Sequence, residues 1–389
     1  MINMKKKLLI VDDSAFMRKV ITDFFKQHDI IEVIGTARNG KDAINKIQQL
    51  KPDVVTMDVE MPEMNGLDAL KEIMTEHPVP VVMLSSTTQQ GAENTLTAME
   101  YGAIDFVAKP SGTISLDLHK IQDELISKVV QASQVSSSKL KKPYVGKSVP
   151  KTVQTSDKVK APIIEKIKLP RPLSEKRAQI SQSASLTNKN NSKEWSRHSK
   201  KIILIGTSTG GPRALQEVIT KIPADVDAPI LIVQHMPAGF TKSLANRLDQ
   251  LSYIHVKEAE QGDVLHKGTA YIAPGGFHMK LRKVGQSFGI VLDQTTPPRS
   301  GHRPSVDVMF EDVSQYDDFD KIAVVMTGMG YDGSQGLKQL KSTGTVMAIA
   351  ESQETCIVYG MPKAAVETQL VDDVTALDEI AQTIMKYMY

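Results

Sequence analysis

The chain has 389 residues, enough for about two to three domains of ordinary size. Hydrophobic residues at 41% and charged residues at 24% exclude a fully disordered chain, and no run approaches the roughly 18 apolar residues that span a membrane. A formal net charge of +2 hides an uneven spread: 15 Lys and Arg stand against 4 Asp and Glu between Ser133 and Ser199, so the remainder is net acidic.

The basic start, Lys5-Lys6-Lys7, imitates a signal-peptide n-region. Its apolar run Leu8–Val11 meets Asp12 after four residues, too short for an h-region. The single cysteine, Cys356, forms no internal disulfide and fits a reducing compartment, so a cytoplasmic protein is expected.

Short apolar runs then alternate with amphipathic segments. The runs are Lys7–Val11, Ile31–Ile34, Val54–Met57, Val79–Leu84 and Phe106–Val107, with helical patterns at Ser14–Gln27, Gly40–Gln49 and Gly66–Thr75 and a last helix at Leu116–Ala132. Apolar strands alternating with helices predict a five-stranded parallel sheet covered on both faces. From Ser133 to Ser199 the chain is polar, basic and without sustained period. It cannot bury enough apolar surface to offset its ordering entropy and reads as a flexible linker. Its basic charge leaves an electrostatic contact with nucleic acid or anionic lipid as the other reading, but stacking aromatics are almost absent, so nucleic-acid binding is not expected.

A second α/β unit begins near Lys200. Its runs are Ile202–Ile205, Ile230–Val233, Ile322–Met326 and Val346–Ala348, with shorter strands at Tyr253–Glu258, Ala270–Ala273 and Gly289–Val291. A doubly wound, mostly parallel sheet is predicted. The three segments are thus residues 1–132, 133–199 and 200–389.

In parallel sheets, functional residues collect beyond the carboxyl ends of strands. In the first unit that rule selects Asp12, Asp13, Asp58, Ser85 and Lys109. Three carboxylates at one edge repel one another unless a cation lies between them, and hard Mg²⁺ suits oxygen donors. With a lysine and a hydroxyl, the set suits phosphoryl transfer to Asp58. A single Asp after a strand is more often a helix cap; the whole set in strand order is more specific. IVDDS, MDVEMPEMNG, LSS and DFVAKP resemble the response-regulator receiver domain, a flavodoxin-like fold, over about Met4–Ala132. The resemblance implies Asp58 as phosphorylation site, Mg²⁺ on Asp12, Asp13 and Asp58, and a switch formed by Ser85, Phe106 and Lys109.

In the second unit, Gly206-Thr207-Ser208-Thr209-Gly210 follows a strand and precedes a helical stretch, Arg213–Ile222. This is the G-x-S-x-G elbow, whose glycines permit a turn sharp enough to expose the serine. A dinucleotide fingerprint would need glycine at 208, and a P-loop would need Gly-Lys-Ser/Thr; a plain glycine-rich turn is the other reading. A serine nucleophile needs a base and an orienting acid. His235 follows ILIVQ at a strand end, whereas His255 lies inside a strand and His266 borders a turn. His278 and His302, in glycine-bearing loops, are weaker rivals. Asp332 follows IAVVMTGMGY; Asp263, Asp293 and Asp307 lack so long a strand before them. Topology alone brings Ser208, His235 and Asp332 together, and their chain order is not that of α/β-hydrolases.

GTSTGGP, QHMPAGFT, YIAPGGFHM, GHRPSVDVMF and MTGMGYDG resemble the catalytic domain of chemotaxis protein-glutamate methylesterases. This implies hydrolysis of glutamyl methyl esters on chemoreceptor cytoplasmic helices, with release of methanol, and deamidation of receptor glutamines. Ser208 would be nucleophile, His235 base and Asp332 orienting acid, with Thr209 and Met329 in the oxyanion segments and no cofactor in this unit. A sensor histidine kinase is the implied phosphodonor; no membrane insertion is expected. The 67-residue linker is longer than the connector of the enteric forms, so their interdomain packing does not transfer. The alternative is a phosphorylation-controlled binding module with an inactive hydrolase-like domain. A DNA-binding regulator would need a recognition helix that the second unit lacks.

Overall fold

The computed structural model describes residues 5–109, 118–140, 195 and 199–388. The first unit runs β1 (Lys6–Val11), α1 (Ala15–Phe25), β2 (Ile31–Ala37), α2 (Gly40–Leu50), β3 (Val54–Asp58), α3 (Gly66–Glu76), β4 (Val81–Ser85), α4 (Gln89–Tyr101), β5 (Asp105–Ala108) and α5 (Leu118–Ala132). Its five strands are all parallel, in the order β2-β1-β3-β4-β5. The two-residue period of a strand divides the core. Leu9, Val11, Val55, Met57, Val81 and Met83 face one helical layer, while Leu8, Ile10, Val54, Val82, Leu84 and Val107 face the other. Ser14, Asn39, Asn65 and Thr88 each cap the next helix, accepting a backbone N–H three residues on.

The second unit runs β6 (Lys201–Thr207), α6 (Gly211–Ile219), β7 (Ile230–Gln234), α7 (Phe240–Leu251), β8 (His255–Glu258), β9 (Thr269–Ile272), β10 (His278–Val284), β11 (Ser287–Asp293), α8 (Val306–Val313), β12 (Asp320–Val325), α9 (Ser334–Thr343), β13 (Val346–Glu351), α10 (Met361–Glu367), β14 (Asp373–Thr375) and α11 (Ile380–Met388). Seven strands form a parallel sheet in the order β14-β13-β12-β6-β7-β9-β8. The central β6 is flanked by β7 on one side and β12 on the other. Chain order runs outward from β6 through β7 and later resumes at β12, so the carboxyl end of β6 is a topological switch point.

The structure departs from expectation in three places. Gly289–Val291 belongs to an antiparallel hairpin with β10, separate from the main sheet, and its other edge bonds to the loop at Gly262–Leu265. His278 therefore opens a strand, fully buried, rather than lying in a loop. Residues 133–140, read as the start of the linker, form a turn and a short 3-10 helix, Ser137–Lys139, after α5. Leu140 is buried in the first unit's core, and Lys139 donates to the carbonyls of Gln353 and Cys356. At the linker's other end, Trp195 packs edge-on against Tyr387. The rest of the expected linker, residues 141–194 and 196–198, lies outside the described residues. Among the described residues no helix is long and apolar enough to cross a membrane.

The units dock through α4 of the first against α6 and α7 of the second, with β5 meeting α7 at one ring stack. Arg247 donates two hydrogen bonds, of 2.7 and 3.0 Å, to the Glu100 carboxylate, and Phe106 stacks on Phe240 with centroids 4.7 Å apart.

Candidate active site

β6 ends at Thr207, and Ser208 occupies the turn before α6. Gly210 holds φ at +77°, a left-handed value that the turn requires and that glycine adopts without strain. Gly328, in the loop after β12, is glycine for a different reason: an added Cβ would lie 2.8 Å from the Ser208 Cβ. His235 comes directly after β7, and its Nδ1 is 3.1 Å from Ser208 Oγ while its Nε2 is 2.8 Å from Asp332 Oδ2. The ring is engaged in the reverse of the usual sense, with Nδ1 toward the hydroxyl and Nε2 toward the carboxylate. All three residues expected from topology are thus joined in one hydrogen-bonded chain.

Asp332 is supplied with donors from α8. Ser305 Oγ and the Asp307 N–H donate to Oδ1, at 2.8 and 2.9 Å, and the Val306 N–H donates to Oδ2 at 2.7 Å. Burial opposes its ionisation, yet the His235 contact and these backbone N–H groups hold it down to about 2. Asp307 returns the arrangement, accepting N–H bonds from Gly333 and Gly336 at the start of α9. The two helices exchange carboxylates at their electropositive ends. Burial raises Asp307 to about 6.

Sequence reading missed the supports around this chain. Gln234 Nε2 donates to the carbonyls of Ser208 and His235, at 3.0 and 3.1 Å, tying the two loops together. Thr327 O accepts the Ser208 N–H and the Thr207 hydroxyl, and its own N–H donates to buried Glu351. Burial pushes Glu351 up to about 7. His302 lies flat on His235, with centroids 3.9 Å apart and planes 11° from parallel. The QH pair and GHR segment signalled residues near the site, but not which face or carbonyl they serve.

Ser208 and His235 open on a cleft of about 530 Å³ that Thr209 and Met329 also line. Among the described residues, the backbone N–H groups of Thr209 and Met329 have no backbone acceptor, the condition an oxyanion site requires. The first unit closes the cleft. Thr209 Oγ1 donates to Asp105 Oδ2 at 2.5 Å, and Lys128 Nζ lies 3.2 Å from Asp105 Oδ1 and 2.8 Å from Glu124. Met329 Sδ meets Ser127 and Gln131 of α5.

A second constellation lies at the carboxyl edge of the first sheet. Asp12, Asp13 and Asp58 each offer an oxygen within 4.8 Å of the others, the single group of three or more such ligands among the described residues. Lys109 Nζ bridges Asp12 and Asp58 at 2.9 and 2.7 Å. Burial raises Asp58 to about 6, against the pull of Lys109. A buried carboxylate kept above its usual range beside two others fits a hard divalent cation, whose charge would offset both burial and repulsion. Ser85 is not gathered into this group; its hydroxyl donates to Gly91 O at 2.9 Å. Phe106 sits at the interdomain face, against Phe240.

The response regulator receiver domain model matches residues 8–119, and the CheB methylesterase model matches residues 203–384. A protein-glutamate methylesterase/protein-glutamine glutaminase of Geobacillus kaustophilus is 52% identical over 98% of this chain and 98% of its own. Namesakes from Halalkalibacterium halodurans and Oceanobacillus iheyensis are 51% and 47% identical, covering 98% and 99% of this chain and 97% and 99% of theirs. With its two α/β units and full-length similarity, the chain belongs to the protein-glutamate methylesterase/protein-glutamine glutaminase family, a receiver domain joined to a CheB methylesterase domain.

Proposed function

We propose that this protein hydrolyses glutamyl methyl esters on the cytoplasmic helices of chemoreceptors, deamidates specific receptor glutamines, and is activated by phosphorylation of Asp58. The observation that carries the reading is the Ser208–His235–Asp332 chain, with links of 3.1 and 2.8 Å. Ser208 Oγ attacks the ester carbonyl and passes its proton to His235 Nδ1. Asp332, kept ionised, stabilises the resulting imidazolium through Nε2. The tetrahedral oxyanion takes the N–H groups of Thr209 and Met329. His235 then returns the proton to the departing methoxide, releasing methanol. Water, deprotonated by His235, cleaves the acyl-serine to glutamate and regenerates the Ser208 hydroxyl. A glutamine takes the same path and releases ammonia. These groups suffice for the chemistry without a cofactor in this domain.

In the receiver, Asp12, Asp13 and Asp58 would hold Mg²⁺, which supplies charge neutralisation for phosphoryl transfer when bound. A sensor histidine kinase donates the phosphoryl group to an Asp58 oxygen. Lys109 neutralises a phosphoryl oxygen, Ser85 leaves Gly91 to donate another hydrogen bond, and Phe106 moves with β5. That movement withdraws support from Phe240 and from the Asp105–Thr209 contact, and the cleft opens. We place the enzyme in the cytoplasm, in keeping with its single buried thiol, Cys356.

Steady-state methanol release from methylated receptor, with and without acetyl phosphate, tests the reading. Turnover lost in Ser208→Ala and stimulation lost in Asp58→Asn are expected. No turnover by the phosphorylated native protein would favour the binding-module alternative.

A further inference from the structure

The proposed chain of Ser208, His235 and Asp332 leaves one requirement unmet. Both nitrogens of His235 are engaged at the ring edges, but hydrogen bonds at the edges do little to stop the ring tipping about χ2, a torsion with broad preferences. An out-of-plane tilt would misdirect Nδ1 away from Ser208. Something must press on the face of the ring.

His302 occupies that face. Its ring is 3.9 Å from the His235 ring, centroid to centroid, and 11° from parallel. The loop that carries it is held independently of His235. Arg299 and His302 exchange backbone hydrogen bonds of 2.9 and 3.0 Å, and Gly301 makes the turn between them at φ +83°. The Arg299 guanidinium donates to Glu311 at 2.7 Å and lies 4.0 Å from Asp307, both on α8. The same helix supplies the N–H groups that hold Asp332. One rigid element therefore fixes both the carboxylate at the edge of His235 and the ring on its face.

We propose that His302 is a positioning residue whose flat ring holds the His235 imidazole in the plane shared with Ser208 and Asp332. Among the described residues, no hydrogen bond to a His302 ring nitrogen is seen, so the role lies in the ring's shape rather than in proton transfer. Burial, followed by the neighbouring His235, lowers His302 to about 4. The clamp thus remains neutral when His235 takes the serine proton, and the stacked pair never carries two charges at neutral pH. Aromatic pairs favour offset packing with centroids about 4.5 to 7 Å apart, so at 3.9 Å this pair is in closer face contact than most.

The inference rests on the reading of Ser208, His235 and Asp332 given above, and the test separates the two. Full-length His302→Phe, His302→Leu and Ser208→Ala would be assayed for methanol release from methylated receptor in the presence of acetyl phosphate. Rates would be normalised to folded protein from thermal unfolding. His302→Leu, similar in bulk but not flat, should lose about 10- to 100-fold in kcat with KM changed less than about twofold, the scale of a small misplacement. His302→Phe should remain within about threefold of the native protein. A folded His302→Phe as slow as His302→Leu would show that the imidazole nitrogens matter and overturn the clamp. Loss expressed in KM alone would make His302 a substrate contact, also overturning it, as would native activity in His302→Leu. If His302→Leu does not fold, His302→Phe still decides, since a flat ring must restore turnover. Substantial activity in Ser208→Ala would instead remove the underlying site assignment, whatever the His302 variants do.

Discussion

Asp58, the last residue of β3, and Asp332, in the loop that follows β12, are both buried carboxylates on the carboxyl side of a parallel sheet, with side chains 7% and 3% exposed. They are driven in opposite directions, up to about 6 and down to about 2. Burial acts on both in the same sense, so the donors decide the outcome. Asp332 accepts from a hydroxyl, two N–H groups at a helix start and an imidazole. Asp58 has chiefly Lys109, which it shares with Asp12, and a second carboxylate nearby. One site is complete and fixes its ion; the other is short of positive charge and suited to receive it. Within one chain, two buried carboxylates on the carboxyl side of a sheet are thus driven apart by their donors, as the proposed roles of orienting group and phosphoryl acceptor require.

Removing members of the complete site should cost most. Ser208→Ala is expected to lower kcat for methanol release by about 10⁶, and Asp332→Asn by about 10⁴. An Asp332→Asn loss equal to that of Ser208→Ala would mean the carboxylate does more than orient His235.

The incomplete site should show its strain as stability. Because the folded Asp58 value lies above that of an unfolded aspartate, the folded protein binds the extra proton between about pH 4 and 6. Its contribution then becomes unfavourable as pH rises through that window. Asp58→Asn should therefore be more stable than the native chain at pH 7 without divalent cation, by up to about 3 kcal/mol. Chemical denaturation should show the difference fading by about pH 4, where both forms are neutral. A difference independent of pH would place its origin outside the carboxylate charge.

The interface that joins the sites should give the smallest effect. A fragment from Lys200 to Tyr389 is expected to exceed the unphosphorylated whole by about threefold to thirtyfold, and Asp105→Ala to move the same way by less. Equal rates for the fragment and the intact chain would show that the receiver does not restrain the cleft.

Much of this was legible because strand ends are legible. Apolar runs placed β1, β3, β6, β7 and β12 within a residue or two, and just past those runs stand Asp12, Asp58, Ser208, His235 and the loop to Asp332. Helix α4 was not read, since Gln89-Gln90-Gly91 opens it with polar residues and a glycine. That glycine is required because an added Cβ would lie 2.3 Å from Ser86 O. Gln234, Ser305, Thr327 and His302 were missed as supports for a different reason. Their partners lie 26 to 118 residues away in several cases, and no local period encodes a contact across two loops. The turn after α5 was hidden by its polar sequence, although Leu140 and Lys139 each find a partner in the fold.

The Phe106–Phe240 stack carries a consequence for the order of events. If phosphorylation at Asp58 weakens this contact, thermodynamic reciprocity requires that separating the domains favour the phosphorylated arrangement by the same factor. On the proposed function, a receptor helix entering the cleft would compete with Asp105 for the ground beside Thr209 and displace the receiver. Receptor occupancy should therefore shift the equilibrium toward the phosphorylated form. The open, phosphorylated form would then be most populated where the substrate is densest, with the receptor acting as effector as well as substrate.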